Sequence, residues 1–181
     1  MAKEAFGNGA GRVRTWRMMG WGTAALLLTV PLVAMKYTEE VNWTASDFLF
    51  MGVLFGGIGL AFEFVLRRSN SLAYRFAAAL ALLATFLTVW VNGAVGMIGS
   101  EDNPLNLMFG GVLLIALIGA IIARLKPAGM MRAMLAAAIA QGVAGAVGLA
   151  TDPLGGVLSM GFALPWLLAA ALFRKAAREQ V

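Results

Sequence analysis

Six apolar runs, at residues 18–34, 48–66, 72–98, 105–123, 130–150 and 154–173, decide what this chain can become. A helix needs about 20 apolar residues to cross a hydrocarbon core roughly 30 Å thick, and each run approaches or exceeds that length. No water is available there, so every backbone N–H and C=O must find its partner inside the protein. An α-helix achieves this within one segment. With 61% hydrophobic and 13% charged residues and a mean hydropathy of +0.83, the composition excludes a soluble globular domain. The expected fold is all-α, a polytopic bundle of six spans. Residues 17–174 form the membrane domain, between a glycine-rich polar tail at 1–16 and a short tail at 175–181. The connections are too short to hold an inserted soluble domain.

Placing the charges between the runs orients the bundle. Lys3, Arg12, Arg14, Arg17, Arg67, Arg68, Arg75, Arg124, Lys126, Arg132, Arg174, Lys175 and Arg178 fall on one side, with Glu4, Glu63 and Glu179. The other side holds Lys36 with Glu39, Glu40, Asp47, Glu101, Asp102 and Asp152. The two sides carry net charges of +10 and −5, and the positive-inside rule then puts both termini in the cytoplasm. The overall charge of +5 is thus a topology signal and not a nucleic-acid footprint. Trp16, Trp21 and Tyr74 at the inner edge, and Tyr37, Trp43 and Trp90 at the outer edge, fit the interfacial preference of aromatic rings. Trp166 alone sits well inside a run.

Helix punctuation agrees. Asn103-Pro104 and Asp152-Pro153 each set a capping residue before a proline at the first helical position, and Thr44-x-x-Asp47 resembles a capping box. The basic lead ending at Arg17, followed by an apolar run, also fits a signal peptide. The stretch Leu32-Val33-Ala34-Met35 lacks a clean small-x-small cleavage site, so the run is read as a retained span.

With neither cysteine nor histidine, thiolate chemistry, disulfides, Ser-His hydrolysis, His-ligated haem and common zinc sites lose their bases or ligands. No Walker loop or dinucleotide fingerprint is present, and Gly57-x-Gly59 lies too deep in a span to cradle phosphate. No catalytic set, metal site or cofactor is expected. Ionisable and amide groups within a membrane remain the default candidates for function. These are Glu63 and Arg67, one turn apart, with Arg75 at the start of the next span, and Gln141 near the bilayer centre. Ala133, Ala137, Gln141 and Gly145 recur every four residues, a row of small residues that lets helices approach closely and lets an amide bond across the contact. A second candidate is an outer acidic mouth of Glu39, Glu40, Asn92, Glu101, Asp102, Asn103 and Asp152, whose oxygens suit a hard cation if the loops converge.

A weak parallel repeat pairs Phe50-Met51-Gly52-Val53-Leu54 with Phe109-Gly110-Gly111-Val112-Leu113, and Asn92-Gly93-Ala94-Val95-Gly96 with Ala144-Gly145-Ala146-Val147-Gly148. Val41-Asn42-Trp43-Thr44 with Asp47-Phe48, Gly57-x-Gly59-Leu60 before Glu63, and the run from Val91 through Asn92-Gly93-Ala94-Val95-Gly96-Met97-Ile98-Gly99-Ser100-Glu101-Asp102-Asn103-Pro104 carry a resemblance. From about residue 40 to 150 the chain resembles small bacterial multi-pass inner-membrane proteins. The resemblance implies an inner-membrane location and brings no reaction, cofactor or substrate with it.

The expected role is that of a non-enzymatic membrane protein working through helix packing, as a homo-oligomer or an accessory subunit of a larger complex, with the lipid bilayer as its other partner. The competing expectation is a small channel or transporter, for which Thr85, Thr88, Gln141 and the region from Gly161 to Pro165 supply the only polar groups or kink near the midplane. Reporter fusions after Arg68, Lys126 and Arg178 should read as cytoplasmic, and fusions near Glu40, Asp102 and Asp152 as external. A cytoplasmic signal from the Asp102 fusion would overturn the six-span topology.

Overall fold

A computed structural model describes Met18, Trp21, Gly22, residues 24–39 and residues 41–179. Among them every regular element is helical, and five helical segments are long and apolar enough to cross a membrane. The chain divides into two compact units, Met1–Glu63 and Phe64–Val181.

In the first unit, α1 (Ala24–Ala34) is apolar but shorter than a bilayer span. The rest of the run expected at 18–34 includes residues outside those described. α2 (Ala45–Arg68) begins at a capping pair. The Thr44 N–H donates to Asp47 Oδ2 at 2.7 Å, and the Asp47 N–H returns to Thr44 Oγ1 at 3.4 Å. The Thr44 N–H at the helix start is thereby satisfied, and the Asp47 N–H, which also donates to the Thr44 carbonyl at 3.1 Å, gains a second acceptor. Trp43 packs edge-on against Phe48 just across this cap, at 5.2 Å between ring centroids.

The second unit holds α3 (Leu72–Ala94), a single 3-10 turn at Pro104–Asn106, α4 (Leu107–Ile122), α5 (Pro127–Gly148), α6 (Pro153–Gly161) and α7 (Ala163–Arg178). α7 packs against both α3 and α5, and α5 also packs against α4 and α6. Alanine makes this possible. Ala77, Ala84, Ala137, Ala169 and Ala176 are fully or almost fully buried, around the large side chains Trp166 and Phe173. Small side chains let backbones approach where lipid provides no hydrophobic drive for association.

The ends that carry the basic residues are tied by polar contacts. Ser71 caps α3, accepting from the Tyr74 N–H at 3.2 Å and donating to Glu179 Oε2 at 2.7 Å. The Tyr74 ring meets Phe173 edge-on at 5.1 Å, and its hydroxyl donates to the Leu125 carbonyl at 2.7 Å. That bond steadies the α4–α5 turn, where Arg124 and Leu125 both adopt positive φ, at 48° and 58°.

Two expected spans change shape. The run 72–98 leaves the helix at Ala94, because Gly96 has φ +77° and the amides of Met97 and Ile98 bond to a side chain instead of to the preceding turn. The last run, expected at 154–173, extends over Pro153–Arg178 and is broken at Phe162. Pro165 has no N–H to return to the Gly161 carbonyl, so the helical ladder lapses there.

α5 and α6 meet through glycine. A Cβ added to Gly145 would lie 2.7 Å from the Met160 backbone nitrogen and 2.9 Å from the Gly156 carbonyl oxygen. One added to Gly142 would meet nothing within 4 Å. Gly145→Leu should therefore destabilise the protein by about 1–3 kcal/mol or more, whereas Gly142→Leu should be neutral or stabilising by up to about 1 kcal/mol through helix propensity. Melting of both variants in the same detergent checks this; equal melting temperatures would refute the close contact.

Candidate functional site

Polar side chains inside the second unit gather at the acidic-loop end, around the connection from α3 to α4. Asn106, at the end of the 3-10 turn, is 4% exposed and organises this region. Its Oδ1 accepts from the backbone N–H of Met97 at 3.0 Å and of Ile98 at 2.9 Å, and its Nδ2 donates to the Ser100 carbonyl at 2.7 Å. One amide thus replaces the helical partners that residues 97 and 98 lost. The loop can then fold inward, and Ile98 becomes fully buried beside Phe109 and Ala144. Replacing Asn106 with an apolar residue would strand two donors, at about 1–3 kcal/mol for each one left buried.

Three further side chains hold the same loop. Asn92 Nδ2 donates to the Asn106 carbonyl at 3.2 Å. Ser159, buried on α6, donates its hydroxyl to the Met97 carbonyl at 2.9 Å. Asp152 accepts from the Gly155 N–H at 2.9 Å as the cap of α6, and from the Gly99 N–H at 2.8 Å with its second oxygen. Gln141 extends the network inward, its Nε2 donating to the Ser159 carbonyl at 3.0 Å. The amide foreseen on the small-residue row of α5 therefore bonds across the helix contact to α6.

The candidate residues separate accordingly. Asp152, Asn92 and Asn103 have structural bonds, Asn103 accepting from the Leu105 N–H at 3.0 Å, while Glu101 and Asp102 are exposed in a turn. Glu39 belongs to the first unit and Glu40 lies outside the described residues. Among the described residues no group of three or more acidic side chains could hold a metal ion. At the other end Arg75 faces the carboxyl terminus of α2, donating from Nε to the Ser69 carbonyl at 2.8 Å and from an Nη to the Leu66 carbonyl at 3.0 Å. A cation at a helix C-terminus satisfies spare carbonyls and complements the helix dipole. Glu63, half-buried, and Arg67, exposed, lie in the last two turns of the same helix.

Sequence reasoning missed Asn106 and Ser159. Their one visible signal was polarity at the head of an apolar run and within one.

Among the described residues four buried side-chain atoms have no hydrogen-bond partner: Thr88 Oγ1, Asn92 Oδ1, Gln141 Oε1 and Trp166 Nε1. Each unmatched group in an apolar interior costs about 1–3 kcal/mol.

No family model, curated protein or solved structure matches the chain.

The bonds from Gly155 and then Gly99 hold the Asp152 carboxyl below the ordinary carboxylate value. A depressed folded-state pKa contributes stability above the unfolded value, near 3.9, that is lost as pH falls through the folded one. Wild type should therefore lose stability on acidification below about pH 4. Asp152→Asn, less stable at neutral pH because its amide cannot accept at both oxygens, should show a shallower decline. Parallel declines in detergent melting would refute the clasp.

Proposed function

We propose that this chain is a six-span bacterial inner-membrane protein with both termini in the cytoplasm, and that it works as a non-enzymatic subunit through helix packing, as a homo-oligomer or within a larger membrane complex. The charge partition supports the orientation. The missing thiols and imidazoles support a role without bond-making chemistry. The observation that carries the reading is the outward face of α4. Leu107, Gly110, Leu114, Leu117 and Ile121 recur at three- and four-residue steps, and the four large side chains are 57–80% exposed. A Cβ added to Gly110 would meet nothing within 4 Å. A glycine in the middle of an exposed apolar stripe gives a second helix a place to approach closely.

A channel or transporter for an ion or small solute is the competing reading. What favours it is the broken last span, with Gln141, Ser159 and Trp166 buried beside it, since solute sites in transporters gather at discontinuous helices.

Purification in a mild detergent followed by native mass measurement separates the two. The subunit reading predicts a mass above that of one chain, from further copies or from a co-purifying protein. It also predicts that Gly110→Leu returns the mass to a single chain without loss of helicity. A single-chain mass for wild type, together with solute flux in vesicles, would establish the competing reading.

A further inference from the structure

Thr88, Gln141 and Trp166 stand on three different helices, each is at most 1% exposed, and each leaves a polar atom unmatched. Two contacts fix the register of α3 against α7: Ser71 bonds to Glu179, and the Tyr74 ring meets Phe173. Both helices advance about 1.5 Å per residue. Carrying that register outward sets Thr88 level with residues 159–162, where the last span breaks. Gln141 is held at the same level by its bond to the Ser159 carbonyl. Trp166 follows the break by one turn, and helical side chains lean toward the N-terminus of their own helix. Its indole therefore leans back toward the break. The Gly161 carbonyl is there as well, denied its helical N–H by Pro165.

We propose that the break in the last span is an internal hydration site, where water bridges Trp166 Nε1, Gln141 Oε1 and Thr88 Oγ1. The donor and acceptor sets match. Indole N–H can only donate, the amide oxygen can only accept, and a hydroxyl can do either. One water accepts from Trp166, donates to Gln141 and exchanges its third bond with Thr88, the roughly threefold coordination usual for buried water. The guest is neutral. Along α3, α5 and α7 the ionisable side chains are Tyr74, Arg75, Arg132, Arg174, Lys175 and Arg178, all toward the opposite end of those helices from the break. The inference goes beyond the subunit role, because a hydrated break is compatible with an oligomer or a monomer.

The test uses the full chain in lipid nanodiscs with 15N-labelled indoles. Trp16→Phe, Trp21→Phe, Trp43→Phe and Trp90→Phe are combined so that Trp166 gives the sole indole signal, and circular dichroism verifies the helices. The hydration site predicts a cross-peak between the Trp166 indole proton and water, although the ring is buried. Thr88→Val, which keeps the shape and removes the hydroxyl, should weaken that cross-peak. If the combined variant does not fold, the indole signal lost from wild type in Trp166→Phe supplies the assignment for the same measurement. An indole proton with no water cross-peak in folded protein would overturn the proposal. So would an undiminished cross-peak in Thr88→Val, which would remove the hydroxyl from the site.

Discussion

Hydrocarbon cannot hydrogen-bond a free N–H or C=O, so a membrane bundle is most vulnerable where a helix stops and its last groups lose their partners. In the second unit of this protein Asn106 resolves the difficulty at the most exacting place. α3 ends early and the chain turns inward, with Ile98 carried into the core. The Asn106 amide takes two backbone donors and gives one bond to a carbonyl. Asp152, Ser159 and Asn92 then fasten the same loop from α6 and α3. The seating of α6 on α5 and of the loop over both depends on this set of bonds.

Close packing is the second condition for that arrangement. Gly145 and Gly156 allow the α5 and α6 backbones to meet, and a Cβ on Gly148 would strike Ile98. The loop bonds and the glycine contacts therefore depend on each other. Ile98 occupies the space that glycine leaves, while Asn106 holds its backbone there. The opposite end uses different chemistry for the same purpose, with Tyr74 steadying the α4–α5 turn and Arg75 meeting the end of α2.

Much of this was legible in the sequence. Apolar run length gave the helices from α2 onward, and the caps at Thr44, Asn103 and Asp152 form where their spacing predicted. The row of Ala137, Gln141 and Gly145 faces a neighbouring helix because small residues every four positions leave room for one. What escaped was tertiary in origin. Met97 and Ile98 read as continuing α3, since apolar side chains do not reveal that their amides bond to a residue nine and eight positions ahead. Asp152 read as part of an acidic mouth, because its second partner, Gly99, lies far away in sequence. The break at Phe162 was hinted at by Gly161 and Pro165, but the Gln141 bond that makes use of it depends on how α5 packs.

Residue-resolved hydrogen exchange of the full chain in nanodiscs tests the Asn106 clasp most directly. The Met97 and Ile98 amides should exchange as slowly as those in the middle of α5, although they lie in a loop, and should become fast in Asn106→Leu while α5 stays protected. Loop-like exchange of these two amides in wild type would contradict the claim that the Asn106 side chain holds the connection in place.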